Sequence, residues 1–224
     1  MIKRIKRLPL YFTGLSLILL LAGIVCYCLS KTDCFFVLNS YHSPFLDAFF
    51  SLLTNLGDGL LCILLGIVLL ILKKRKKAIT VLLAYAYSSL LAQTVKKLFD
   101  QPRPRLYLEQ MHLDYINFVS GINLHDHHSF PSGHTTSAFA LATVLVLVHK
   151  KLKISLPCLV LATAIGYSRI YLAQHFLLDV LFGAMIGLFG ALLAFNQVYV
   201  QKLFRPAKAI KRLKRLRALE TSTP

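Results

Sequence analysis

Residues 129–148 read SFPSGHTTSAFALATVLVLV, with Pro131, Ser132, Gly133 and His134 at the mouth of a largely apolar run. Pro131 and Gly133 favour a sharp turn, and the run behind them has the composition of a helix entering hydrocarbon. The same composition recurs on both sides of this stretch. About six apolar blocks, 10–30, 56–72, 78–95, 135–149, 154–172 and 176–199, approach the roughly 20 residues that cross a bilayer, with 135–149 the short one. With 56% hydrophobic residues and a mean hydropathy of +0.63, the chain predicts an all-α polytopic membrane protein of six transmembrane helices. The first block has the basic flanks of a signal peptide but no convincing small-residue cleavage site, which predicts a retained first helix.

A net charge of +17 raises nucleic acid as a partner, but the distribution argues against it. Twenty of the 26 Lys and Arg residues fall in four short segments, 1–9, 73–77, 150–153 and 202–217, between or beyond the apolar blocks. If six helices alternate in direction, all four segments share one side, which the positive-inside rule assigns to the cytoplasm together with both termini. The remaining cations, Lys31, Lys96, Lys97, Arg103, Arg105 and Arg169, lie on the outer side, and all the acids except Glu220 lie there or at its boundary. The bilayer is therefore the expected partner, and no nucleic acid is.

No repeat or Gly/Ser-rich linker divides residues 1–224, which predicts one domain ending in a basic cytoplasmic tail at about 202–224. RPAKAIKRLKRLRALE in that tail has an amphipathic pattern suited to anionic headgroups, though a plain topology anchor explains it nearly as well. Two outer segments, about 31–55 and 96–134, are longer than simple connections, and long ordered loops tend to carry function. In the first, SPFLDAFFSLLTNLGDG has helical spacing after a Ser-Pro start and is expected to lie along the membrane surface. Cys62 and Cys158 read as packing residues. Cys26, Cys28 and Cys34 cluster where an oxidising compartment permits a disulfide, and no fourth ligand suggests a metal there.

Three groups of residues fall at the outer boundary. In VKKLFDQPRPRL, Lys96 and Arg103 are seven apart and would share a face if the helix ran to Gln101, with Pro102 and Pro104 ending it. Any basic helix end looks like this, yet these cations sit on the side where positive charge is normally depleted. In the opening stretch, Ser132 offers a hydroxyl, Gly133 lets backbone approach, and the helix start presents N–H groups suited to an anion. His134 stands at the rim, where it could protonate a leaving oxygen; the plain alternative is a helix cap beside an incidental histidine. In YSRIYLAQHFLLDV, His175 and Asp179 are four apart, which on a helix allows the carboxylate to bind one imidazole nitrogen and leaves the other as a nucleophile. Arg169 adds a third cation. An ionisable residue at membrane depth is costly, so Asp179 needs a partner, although a His–Asp pair that only ties helices together would also satisfy it. Collected on one face, these residues form an apparatus for phosphate chemistry: cations and amides for three equatorial oxygens, one histidine to attack and one to protonate.

Lys96 with Arg103-Pro104, Pro131-Ser132-Gly133-His134, and Ser168-Arg169 with His175 and Asp179 resemble the type 2 phosphatidic acid phosphatase family, whose pattern is K-x6-RP, PSGH and SR-x5-H-x3-D. The resemblance spans residues 96–179 and implies a helical core shared with vanadium-dependent haloperoxidases, from whose activity the hydrophobicity of this chain argues away. It implies a lipid phosphatase that needs no metal or other cofactor and forms a phosphohistidine at His175. Asp179 would orient that ring, and His134 would serve as acid and then as base. Lys96, Arg103, Ser132, Gly133 and Arg169 would bind phosphate. The implied substrates are undecaprenyl diphosphate, a lipid A phosphate, phosphatidylglycerophosphate or phosphatidic acid, the first two favoured by an outward site in a bacterial inner membrane facing the periplasm or exterior. A lipid phosphotransferase using the same histidine, or a non-catalytic lipid-phosphate binder or transporter, remains open at this level. NLHDHHSF, with His125, Asp126, His127 and His128, superficially suggests a metal site, but adjacent side chains rarely converge on one ion, so a substrate rim or plain surface is expected.

Overall fold

A computed structural model describes residues 9–115, 117–149 and 151–201; the basic tail and its amphipathic pattern lie outside them. The described helices are α1 (Pro9–Cys28), α2 (Lys31–Leu38), α3 (Pro44–Leu53), α4 (Gly59–Ile71), α5 (Arg75–Leu98), α6 (Pro104–Gln110), α7 (Gly133–His149), α8 (Leu152–Tyr171) and α9 (Leu177–Phe195). A 3-10 turn, Thr54–Gly57, joins α3 to α4. Among the described residues there is no strand.

Local chemistry sets several boundaries. Ser43 caps α3, accepting the Leu46 N–H, with Pro44 in its first turn. Asp58 caps α4 through the Leu60 N–H. The surface helix expected after Ser43-Pro44 is therefore present, but it continues through the 3-10 turn into α4 with a bend of 53°.

Four helices are long and apolar enough to cross a membrane: α1 from Leu10, α5, α8 from Lys153, and α9 with the turn to Val200. The bent α3–α4 pair would make a fifth, while α7 is apolar but shorter. Length and composition thus support a membrane protein without establishing six crossings. The shortness of α7 has a packing counterpart, since nearly every residue from Thr135 to Leu147 is buried. It is the central helix, while α1, α4, α5 and α9 expose Leu17, Leu20, Leu60, Ile71, Leu90 and Phe189 outward, as lipid-facing helices do.

α9 packs against both α7 and α5. A Cβ at Gly187 would lie 2.4 Å from the Thr136 carbonyl oxygen, and one at Gly183 would lie 2.7 Å from that of Ser132, so the small residues at this i, i+4 pair let the backbones meet. Further along α7, the Tyr11 and Thr143 hydroxyls share a 2.8 Å hydrogen bond that ties α1 to this central helix. All five cysteines are unpaired.

Candidate active site

Loops and helix ends at one end of the bundle enclose a cavity of about 350 Å³, lined among others by Thr54, Lys96, Arg103, Gly133, His134, Arg169 and His175. Residues more than a hundred positions apart in sequence meet there.

Lys96 sits in the last turn of α5, a favourable place for a cation. It is buried, and its Nζ donates to the His128 carbonyl over 2.6 Å. The helix does not continue to Gln101 as expected; it ends at Leu98. Beyond it the backbone pairs with the other arm of the loop, Ser129 N–H to the Gln101 carbonyl and Arg103 N–H to that of Asp126. These bonds, together with the restriction that Pro102 and Pro104 place on their preceding residues, draw the chain out of helix. Arg103 therefore reaches the cavity from a loop and not from a face shared with Lys96. Its Nη1 donates to Gln174 Oε1 at 2.7 Å and its Nε to the His127 carbonyl at 3.0 Å. Burial lowers the affinity of its guanidinium for the proton, while the charge of Asp179 opposes that shift.

The start of α7 borders the cavity. Ser132 precedes it with its hydroxyl turned inward, accepting the Thr135 N–H at 3.5 Å and sharing a 2.9 Å bond with the Thr135 hydroxyl. Its own N–H goes to the Asp179 carbonyl. Ser132 accordingly shapes the helix start without lining the cavity, whereas Gly133 and His134 line it with first-turn N–H groups that a helix leaves unpaired.

Arg169 projects from the last turn of α8. Its Nη1 donates to Thr54 Oγ1 at 2.6 Å, and its Nε is buried without any hydrogen-bond partner. A buried guanidinium N–H left unpaired costs roughly 1–3 kcal/mol or more, so it calls for an explanation. Arg169 lines the adjoining cavity.

His175 does not share a helix with Asp179. It lies in the turn before α9, its N–H and that of Gln174 both held by the Arg169 carbonyl, which fixes the spacing of arginine and histidine. Asp179 stands at the third position of α9, and its Oδ2 accepts from the Phe176 N–H at 3.0 Å, the Ser129 hydroxyl at 2.5 Å and His175 Nδ1 at 3.4 Å. A carboxylate reaching back to the helix-cap N–H is half of a capping box, here extended to the imidazole. The proton belongs on Nδ1, and Nε2 keeps its lone pair. Burial pushes the His175 imidazole down to about 3, against the opposing hydrogen bond from Asp179, so the ring is neutral near pH 7.

Thr54, Gly57, Ser129 and Gln174 are parts of this site that motif spacing does not reveal. Gly57 is packed so closely that a Cβ would lie 3.1 Å from both the Cβ and the carbonyl oxygen of His134. Of the histidine-rich loop, His125 lines the cavity, His127 and His128 face Asp100, and Asp126 pairs with Arg105 at 2.6 Å. Among the described residues no three His, Cys, Asp or Glu side chains are grouped to hold a metal.

Fold and cavity together define a helical membrane protein with a cation-lined cavity faced by His125, His134 and His175. The sequence model of the PAP2 superfamily matches residues 77–203, more than half of the chain, and the chain belongs to that superfamily. Over 121 residues it is 32% identical to YbjG of Escherichia coli K12, which carries an undecaprenyl-diphosphatase name, covering 54% of this chain and 57% of YbjG. The match thus spans little more than half the length of that relative. A lipid A 4'-phosphatase of Bacteroides thetaiotaomicron is 31% identical over 68% of this chain and 69% of its own. The crystal structure of Aquifex aeolicus LpxE superimposes with a TM-score of 0.65 at 36% identity, covering 74% of this chain and 94% of that one.

Proposed function

We propose that this chain is an integral membrane phosphatase that removes phosphate from a lipid monoester or diphosphate through a phosphohistidine at His175, without a metal ion. The convergence of Arg169, whose buried Nε has no hydrogen-bond partner among the described residues, with Lys96, Arg103, the start of α7, His134 and His175 around one cavity carries this reading. The names of the relatives, a lipid A 4'-phosphatase and an undecaprenyl-diphosphatase, support a lipid phosphate as substrate.

In the proposed chemistry the phosphoryl oxygens are held by Lys96, Arg103, Arg169 and the N–H groups of Gly133 and His134, with Ser132 fixing the helix start. His175 Nε2 forms a bond to phosphorus as the bond to the leaving oxygen breaks, and His134 gives that oxygen its proton. Asp179 stabilises the positive charge that His175 acquires. His134 then takes a proton from water, whose oxygen attacks phosphorus and releases His175. Fixed cations supply the charge neutralisation that a metal would otherwise provide. One domain carries the whole site, which faces the exterior of a bacterial inner membrane with both termini in the cytoplasm. Undecaprenyl diphosphate and lipid A phosphates are the favoured substrates, ahead of phosphatidylglycerophosphate and phosphatidic acid.

Purified protein in detergent should release phosphate from at least one of these four lipids, the release surviving EDTA and vanishing in His175→Ala. Activity retained by that variant would overturn the mechanism, and release only on addition of an acceptor would make the protein a phosphotransferase.

A further inference from the structure

A second cavity of about 140 Å³ meets the first at His134. The two share Gly133, His134 and Gln93, but His175, Lys96, Arg103 and Arg169 line only the first. The second is lined instead by Asp58, Tyr85, Ser89, Thr136 and Ser137, and no cation lines it. Tyr85, Ser89 and Gln93 recur every four residues and so form a polar stripe on one face of α5 that leads toward Lys96. Tyr85 lies thirteen residues before the end of α5, about 20 Å along the helix from that end, and the stripe from Tyr85 to Gln93 covers about 12 Å of it, beside α4. The same two helices expose Leu60, Leu64 and Leu90, which suits a mouth turned toward hydrocarbon.

In an in-line displacement the leaving oxygen departs on the side of phosphorus opposite the nucleophile. With His175 confined to the first cavity and His134 between the two, the leaving group enters the second. The only carboxylate among its lining residues is Asp58, whose Oδ1 caps α4 and whose Oδ2 has no hydrogen-bond partner among the described residues. The departing end of a diphosphate is itself a phosphate and would meet this carboxylate with no cation beside it. An alcohol would meet hydroxyls and an amide.

We propose that the second cavity is the leaving-group pocket and that Asp58 sets specificity there, selecting phosphate monoesters of an uncharged, hydroxyl-bearing lipid over lipid diphosphates. This rests on the phosphatase reading above and chooses within it.

Prenyl monophosphate and prenyl diphosphate of one chain length, given to the full chain in detergent micelles, present the two leaving groups on the same lipid. The wild-type protein should favour the monophosphate in kcat/KM. Asp58→Asn keeps a side chain of equal capping quality and removes only the charge, so it should fold. It should raise the diphosphate-to-monophosphate ratio of kcat/KM about tenfold, the order expected for one like-charge contact largely screened by water, since Asp58 is exposed. A wild type that favours the diphosphate, or a ratio unmoved by Asp58→Asn, overturns the specificity assignment alone. Release from neither substrate also overturns the specificity assignment, and release from none of the four lipids named above overturns the phosphatase reading as well.

Discussion

Thr54 contacts Arg169 across 115 positions of sequence, and through that 2.6 Å bond it orients a guanidinium whose buried Nε has no hydrogen-bond partner among the described residues. Thr54→Val keeps the shape and removes the acceptor. Because hydrogen bonds to charged groups are worth about 1.5–3 kcal/mol, kcat/KM for phosphate release should fall about tenfold or more, and unchanged kinetics would show that Arg169 needs no such support. His175 gives a second test. With its folded-state affinity for protons depressed to about 3, the ring should remain neutral on acidification well past the ordinary histidine value of about 6.5. The side-chain NMR signals of labelled His175 should therefore stay constant from about pH 8 to about pH 5, whereas a midpoint near the ordinary value would contradict its burial. Since the unfolded chain takes up that proton first, the contribution of His175 to stability is present above about pH 6.5 and lost as pH falls toward 3. The ionisable residues here were legible because Lys, Arg, His and Asp at the edges of apolar blocks are costly and few. Thr54, Gly57, Ser129 and Gln174 were not, because they act through approaches between distant segments that leave no local pattern.

At the scale of the element, α7 decides how the site is held. Its first turn presents the amides, and its remainder is buried among α1, α5, α8 and α9, so its position depends on close backbone contact at Gly183 and Gly187 of α9. Gly187→Leu forces a side chain against the Thr136 carbonyl and should destabilise the detergent-solubilised protein by about 2 kcal/mol or more. A thermal unfolding midpoint equal to that of the wild type would show that α9 can move away at little cost. Helices lie near the apolar blocks, yet periodicity alone does not place the end of α5 or the start of α4. α5 stops at Leu98 because the backbone at Gln101 and Arg103 pairs with residues 126–129. The block at 56–72 yields only the thirteen-residue α4, because Asp58 caps a new helix after the 3-10 turn. The pairing of His175 with Asp179 was anticipated on a helix, but a turn anchored on the Arg169 carbonyl achieves it instead.

For the whole molecule, the sequence reveals a membrane protein through hydropathy, and the placement of its cations predicts an orientation. In a cysteine-free background, a cysteine at Tyr41 should react with an impermeant maleimide in intact cells, while one at Lys74 should react only after permeabilisation. The reverse pattern would place the cavity on the cytoplasmic side. The short α7 and the bent α3–α4 pair show why block length alone cannot count crossings: a helix surrounded by protein does not need the length of one surrounded by lipid. The central claim is that phosphate passes through His175. It is tested most directly by mixing the purified protein with a phosphate-labelled lipid substrate, quenching in alkali within the first turnover and locating the label by tandem mass spectrometry. The account predicts an acid-labile, alkali-stable phosphoryl group on His175 that is absent from His175→Ala. Label on another residue, or turnover with no label trapped on the protein at any quench time, would contradict it.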